Sequence, residues 1–230
     1  MADGTVRYDV EVQELNGDHE ERLVKVRNSG DMARYVHTLL ASGVVTIGGE
    51  KATDDLLDDL LVGDREYLVL AIRKATYGPE IEMGPTVCDD CGEVFDMVVM
   101  AKDIEVRPLS SDRKFEVPLR KGGRATVRLP NGADQEAYLE DENLTDAERN
   151  TILLSRCVLT ITDSDGEMHS VAGFPSLVRD GLGIRDRQSI LKAINERQPG
   201  PRYDEIEHTH DECGGKTKAF VGLVHLFPGL

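Results

Sequence analysis

Tryptophan is absent from this sequence of 230 residues, and aromatic residues of all kinds make up only 5% of it. Hydrophobic residues still account for 40%, so a core can form, but it must be built mainly from Leu, Val, Ile and Ala. Long apolar runs are also missing, because no stretch of about 18 residues could cross a bilayer as a helix. Residues 1–5 have neither the basic nor the apolar part of a secretory signal, which predicts a protein made in a cytoplasm.

Basic residues are in the minority. The chain has 27 Lys and Arg against 43 Asp and Glu, a formal net charge of -16. Affinity for nucleic acid comes largely from Lys and Arg that displace counterions from phosphates, so this charge argues against a nucleic-acid partner. An acidic surface also suits a high-salt environment, although composition does not decide whether the source is halophilic.

Only four cysteines are present, too few for a disulfide scaffold in a chain of this length. Two of them form Cys88-x-x-Cys91, followed by Gly92, where positive φ would let backbone N–H groups turn toward the sulfur. The motif His210-x-x-Cys213, also followed by glycine, repeats this order near the C-terminus. Each motif supplies two ligands from one tight turn, so together they predict a structural Zn²⁺ bound by Cys88, Cys91, His210 and Cys213.

Alternatives to this ligand set remain open in the sequence. His208 could replace His210 if the register slides by two residues, although the His-x-x-Cys spacing favours His210. The cysteine pair could be a redox pair, but such pairs begin a helix, whereas strand-like residues follow this one. Cys157 lies in an apolar helical stretch and is expected to be a buried core thiol. The remaining histidines have no partner at ligand spacing and are expected to be ordinary: His19, His37, His169 and His225.

Motifs for catalysis and phosphate binding are missing. The sequence has no G-x-S-x-G elbow and no H-E-x-x-H motif, and residues 48–51 lack P-loop spacing. Residues 163–167 lack the remaining ligands of a calcium loop, so a plain turn is expected there. A zinc ion with four protein ligands has no open position for water or substrate. We therefore expect the metal to stabilise the fold by joining residue 88 to residue 213.

The hydrophobic pattern predicts an α+β fold, in which helical blocks and short antiparallel strands interlock around the two-knuckle, zinc-ribbon-like site. Residues 30–78 are expected to hold three helices that start near Asp31, Thr53 and Asp64. Residues 5–28 are expected to form a β-hairpin about the Asn16-Gly17 turn. Its first strand would carry Val6, Tyr8, Val10 and Val12, and its return strand Leu23, Val24 and Val26.

Strands are expected over residues 80–130, with Pro118 on an edge strand. Residues 131–198 are expected to be helical, with a capping box at Thr145, a short helix opened by Pro175 and another over residues 186–197. The tail is expected to be extended on either side of the second knuckle. We divide the chain into residues 1–50, a hairpin plus helix that is a candidate interaction segment, and residues 51–230, a domain closed by the zinc site.

One segment is distinctive: residues 63–68, Gly-Asp-Arg-Glu-Tyr-Leu, lie just upstream of the first knuckle. Further segments follow in order at residues 77–78, 115–119, 127–130, 187–191 and 196–201, and then comes the second knuckle. Together, from about residue 55 to the C-terminus, they resemble the T4-type phage baseplate proteins, a group that includes the baseplate hub assembly factor and relatives in other contractile-tail particles. Many relatives have C-x-x-C in the second knuckle, where this sequence has His210-x-x-Cys213 and so keeps four ligands.

The resemblance implies a non-enzymatic structural or assembly protein of the tail baseplate or hub of a contractile-tailed virus or injection particle. Its implied partners are other tail or baseplate proteins, with no nucleic acid, membrane or small-molecule substrate. The protein would be made in the host cytoplasm and located in the virion tail baseplate or an assembly intermediate. An alternative is a zinc-ribbon adaptor in transcription or RNA handling, which the net charge and the long insertion between the knuckles oppose. A zinc hydrolase would require an open metal position.

Overall fold

Helices and short strands alternate along the chain in the computed structural model, which describes residues 9–109, 112–141, 143–172, 175–204 and 206–230. The helices within these ranges are α1 (Gly17–Arg27), α2 (Met32–Gly43), α3 (Asp54–Asp59), α4 (Val62–Tyr77), α5 (Gly132–Leu139), α6 (Asp146–Cys157), α7 (Ile184–Arg197) and α8 (Leu223–Leu226). A turn of π-helix, Leu177–Gly181, precedes α7. None of the described helices is long and apolar enough to cross a membrane.

The strands are short, and every described pairing between them is antiparallel. They are β1 (Val10–Val12), β2 (Val44–Ile47), β3 (Glu50–Lys51), β4 (Glu80–Val87), β5 (Val94–Met100), β6 (Val106–Arg107), β7 (Lys114–Pro118), β8 (Arg124–Arg128), β9 (Val158–Thr162), β10 (Met168–Ser170), β11 (Gly200–Pro201), β12 (Ile206–Thr209) and β13 (Lys216–Ala219). This mixture of helices and antiparallel strands confirms the α+β class.

Within the described ranges, the strands form five small sheets. Two of them have more than two strands, in the orders β1-β2-β3 and β10-β9-β8-β7, and the pairs β4-β5, β12-β13 and β11-β6 stand apart. Strand β7 lies at the edge of its sheet, which confirms the edge position predicted from Pro118. The turns of the β4-β5 and β12-β13 hairpins contain the two knuckles.

The predicted hairpin over residues 5–28 is wrong in its described part, because residues 17–27 form α1. Asn16 caps this helix: its Oδ1 accepts a hydrogen bond from the His19 N–H at 3.2 Å. His19 and Leu23, four residues apart, then fall on one buried helix face. Strand β1 pairs instead with β2. Val6 and Tyr8 lie outside the described residues.

The three helices expected over residues 30–78 are confirmed, with one corrected start. Asp31 and Thr53 are the N-caps of α2 and α3, as predicted. Helix α4 begins at Val62, and Asp64 lies inside its first turn, where its carboxylate accepts from the Leu61 N–H. With its amide oxygen turned toward the helix, Gln198 accepts from the first N–H groups of α4, so the cap comes from a distant residue.

The wholly helical prediction for residues 131–198 is wrong, because β9 and β10 lie within this range. The expected turn at residues 163–167 joins them: Asp163 Oδ1 accepts from the N–H groups of Asp165 and Glu167, both at 2.9 Å. The capping box at Thr145 is confirmed. Helix α7 also matches its prediction, whereas α8 was expected to be extended.

Two hydrophobic clusters form the interior. The larger one brings together α1, α2, α4, the β4-β5 hairpin and the C-terminal segment, and it includes the fully covered Leu39, Ile72 and Phe227. The smaller one lies between β7, β8 and β9 on one side and α6 and α7 on the other, and it includes Val127 and Ile190. Residues from both ends of the chain therefore share one core, near which the two knuckles meet.

Candidate metal centre

The first knuckle is the turn between β4 and β5. The Cys88 N–H donates to the Glu93 carbonyl at 2.8 Å, and the Gly92 N–H donates to the Cys88 carbonyl at 3.0 Å. Gly92 has φ of 75°, as predicted from its place after the second cysteine. The turn leaves Cys88 buried and Cys91 exposed.

The second knuckle repeats this backbone pattern between β12 and β13. The His210 N–H donates to the Gly215 carbonyl at 2.8 Å, and the Gly214 N–H donates to the His210 carbonyl at 2.8 Å. Gly214 has φ of 72°. His210 thus occupies the position that Cys88 occupies in the first knuckle, and it is likewise buried.

The fold brings the four predicted ligands together. One ligand atom from each of Cys88, Cys91, His210 and Cys213 lies within 4.8 Å of the other three, close enough to bind one metal ion. Cys88 Sγ is 3.6 Å from Cys213 Sγ, and His210 Nδ1 is 3.4 Å from Cys91 Sγ and 3.3 Å from Cys213 Sγ.

These separations fit a tetrahedral zinc site. Zinc bonds of about 2.3 Å to sulfur and about 2.1 Å to nitrogen put two sulfurs about 3.8 Å apart and a sulfur and a nitrogen about 3.6 Å apart. The observed edges are within a few tenths of an ångström of these values. A disulfide requires about 2.05 Å between sulfurs, and all four cysteines are free.

The electrostatics of the group favour a bound cation. The N–H groups of Cys91 and Asp90 donate to Cys88 Sγ and lower the pKa of that thiol to about 6. The Glu93 N–H donates to Cys91 Sγ, but loss of water and the nearby sulfurs of Cys213 and Cys88 outweigh that bond and raise the pKa of Cys91 to about 11. Three sulfurs this close cannot all ionise unless a positive charge lies among them.

His210, and not His208, is the histidine in the group of four. His208 lies on β12, where it pairs with Thr217, and its ring stacks on Phe95 at 5.5 Å between centroids. The His210 ring also stacks on Phe95, at 4.6 Å between centroids. Phe95 therefore fixes the orientation of the His210 ring.

Residues between the ligands hold the two knuckles together, and sequence reasoning missed them. The Asp89 N–H donates to Thr217 Oγ1 at 3.4 Å, and the Lys216 N–H donates to Asp90 Oδ2 at 3.2 Å. Asp90 packs directly over Gly215, where an added Cβ would lie 2.5 Å from its carboxylate. The repeated ligand-x-x-Cys-Gly order was the only signal that the two turns would meet face to face.

Over residues 5–228, the sequence matches the T4 bacteriophage base plate protein family. The chain belongs to this family. The match begins well before residue 55, so α1 and α2 lie inside it. No curated protein and no solved structure matches the chain. Family membership supports a structural role in the phage tail baseplate.

Residues of the first segment that carried the resemblance make buried contacts in this base plate protein. Gly63 touches the backbone of Pro199, so that the first turn of α4 is locked against the segment before β11. Arg65, only 1% exposed, donates from Nη1 to the Leu57 carbonyl at 3.1 Å and forms ion pairs with Asp58 and Glu136. A buried arginine requires such partners, which the sequence did not reveal.

The remaining cysteine and histidines have separate roles. Burial raises the pKa of Cys157 to about 12, as suits the predicted core thiol. His19 and His225 accept backbone N–H groups at the starts of α1 and α8, and His169 is 3.7 Å from Asp163. His37 departs from the expectation of an ordinary side chain, because carboxylates flank both of its ring nitrogens.

Proposed function

We propose that this base plate protein is a non-enzymatic structural or assembly component of the tail baseplate or hub of a contractile-tailed virus or contractile injection particle. The observation that carries the proposal is the family match over nearly the whole chain. Its partners are other tail or baseplate proteins, and its place is the virion tail or an assembly intermediate formed in the host cytoplasm. Residues 1–50 are the proposed interaction segment.

We further propose that a structural Zn²⁺ bound by Cys88, Cys91, His210 and Cys213 stabilises the protein. The support is the convergence of three thiols and one imidazole at tetrahedral spacing. Four protein ligands leave no position for a water or a substrate, which favours a role in folding over a role in catalysis. Cys88 and Cys213 are 125 residues apart in the sequence. The metal would therefore close a long loop and hold both hairpins in place.

Co-expression tests the assembly role. The full chain would be produced together with each tail protein encoded beside it, and complexes would be identified by affinity purification and light scattering. We expect a complex of defined stoichiometry with at least one tail protein. Failure to associate with any of them would contradict the proposal. Mass spectrometry of purified particles then decides between a component of the finished tail and an assembly factor.

The zinc-ribbon adaptor remains the second candidate, because two facing knuckles are its hallmark. Gel shifts at low salt discriminate between the two functions. With a net charge of -16, we expect no binding to RNA or DNA. Tight binding that weakens steeply with salt would favour the adaptor.

A further inference from the structure

A second group of metal-ligand side chains lies away from the knuckles, where four helices converge. His37 of α2 is 3.0 Å from Glu136 Oε1 of α5 and 3.6 Å from Asp58 Oδ1 of α3, both measured from Nδ1. The three side chains are half-buried, with 23% to 31% of their surface exposed. They come from distant parts of the sequence, so no sequence motif indicates that they meet.

Arg65 of α4 supplies part of the counter-charge. Its Nη1 is 3.3 Å from Asp58 Oδ1, and its Nη2 is 3.2 Å from Glu136 Oε1. Asp54, also on α3, adds a third carboxylate at 3.2 Å from His37 Nε2. With a neutral His37, three carboxylates and one guanidinium have a net charge of about -2, which one divalent cation would balance.

The ring of His37 is held as a metal ligand would be. In the tautomer with its proton on Nε2, His37 donates a hydrogen bond to Asp54 Oδ1 at 3.2 Å, and the lone pair of Nδ1 is directed toward the oxygens of Asp58 and Glu136. Histidines that bind metals usually donate their other ring N–H to a carboxylate in this way. A single proton on Nδ1 would satisfy one oxygen well, whereas a cation between the three atoms would contact all of them.

We propose that His37 Nδ1, Asp58 Oδ1 and Glu136 Oε1 form a second, sulfur-free site for a divalent transition-metal ion such as Mn²⁺ or Zn²⁺. Bonds of about 2.1 Å place neighbouring ligand atoms about 3.0 Å apart in octahedral and about 3.4 Å apart in tetrahedral geometry. The observed distances of 3.0 and 3.6 Å span these values. The imidazole favours a transition metal over Mg²⁺ or Ca²⁺. The ion would tie α2, α3 and α5 together.

Manganese provides the probe, because carboxylate and imidazole ligands suit it better than thiolates do. The full-length protein would first be loaded with one equivalent of Zn²⁺ to fill the knuckles and then titrated with Mn²⁺, with free Mn²⁺ measured by EPR. We expect one bound Mn²⁺ per chain in the wild type. His37→Gln and Glu136→Gln should each weaken this binding at least tenfold. Glu140→Gln, an exposed glutamate one turn further along, should leave it unchanged.

Failure to bind Mn²⁺ or a second Zn²⁺ in the wild type would overturn the proposal, as would unchanged binding in His37→Gln. Circular dichroism of each variant shows that it is folded, and the two ligand variants come from different helices, so the test does not depend on one of them. The knuckle site is measured separately, in protein loaded with Co²⁺ in place of Zn²⁺, by the absorption of thiolate-to-cobalt charge transfer. Loss of either site therefore leaves the other measurable.

Discussion

Gly63 and Pro199 lie so close that a Cβ on Gly63 would be 1.7 Å from the Pro199 carbonyl oxygen. The glycine of the family-like segment at residues 63–68 is therefore required by contact with a backbone more than a hundred residues away. The same contact seats the start of α4 against the segment that leads into β11.

Gly63→Ala should consequently destabilise the fold. The methyl group must displace a backbone carbonyl, and overpacking of this kind costs about 1–3 kcal/mol or more. Urea unfolding at neutral pH measures the loss. Gly17→Ala is the matched control, because no atom lies within 4 Å of the added Cβ and its helix should tolerate alanine. Equal unfolding midpoints for the two variants would contradict the close contact.

Asp134 should confer stability that acid removes. Its side chain is fully buried and pairs with Arg128 at 2.5 and 2.9 Å and with Arg156 at 2.7 Å. Burial opposes ionisation, but hydrogen bonds from Arg128 and from the Asn131 N–H outweigh it and lower the pKa of Asp134. A lowered carboxyl pKa stabilises the fold above the unfolded value of about 4, and this stability is lost as pH falls toward the folded value.

Asp134→Asn should therefore cost about 3 kcal/mol at pH 7, because it leaves two arginines without their charge partner. The difference from wild type should shrink below about pH 4. Chemical unfolding across the pH range provides the measurement. Asp180→Asn, which breaks an exposed pair with Arg179, should not shift the midpoint measurably. A difference for Asp134→Asn that is independent of pH would exclude the proposed electrostatic origin.

Glu66 should have the opposite pH dependence. It lines a cleft of about 490 Å³ with Arg202 and Asp204, and burial there raises its pKa to about 7, with Arg202 opposing and Asp204 adding to the rise. A carboxyl group whose pKa is raised by folding does not reduce stability at a pH below the pKa that it has in the unfolded chain. It reduces stability progressively as the pH rises from there to about 7.

The free energy of unfolding of Glu66→Gln, relative to that of the wild type, should therefore increase by about 2–3 kcal/mol between pH 5 and pH 8. Thermal unfolding at both pH values measures the gain. Glu196→Gln removes an exposed glutamate of α7 and should show no such trend. A gain that is the same at both pH values would mean that Glu66 titrates normally.

The site could be predicted from sequence because each knuckle is local. The five residues from the first ligand to the glycine determine the turn, and the glycine has the positive φ that the turn requires. The Asn16-Gly17 pair shows the limit of the same reasoning, since these residues suit either a hairpin turn or a helix N-cap, and only burial of Leu23 against the core decides. Strand β9 was missed for a similar reason, because apolar residues continue without a break from α6.

Contacts between residues that are far apart in the sequence could not be predicted from it. His37, Asp58 and Glu136 meet because three helices pack together, and nothing in their spacing indicates it. The cap that Gln198 provides for α4 is of the same kind. Asp64 was a reasonable local candidate for that cap, and a residue from the far end of the chain took its place.

Metal content tests the central claim most directly. Wild-type protein, Cys213→Ser and the control His208→Gln would be purified without added metal and measured by plasma mass spectrometry, with thermal unfolding alongside. We predict zinc in the wild type and in His208→Gln, and loss of the knuckle-bound zinc from Cys213→Ser with a fall in stability of at least about 3 kcal/mol, because metal binding and folding are coupled. Equal zinc content and equal stability in all three proteins would contradict the account.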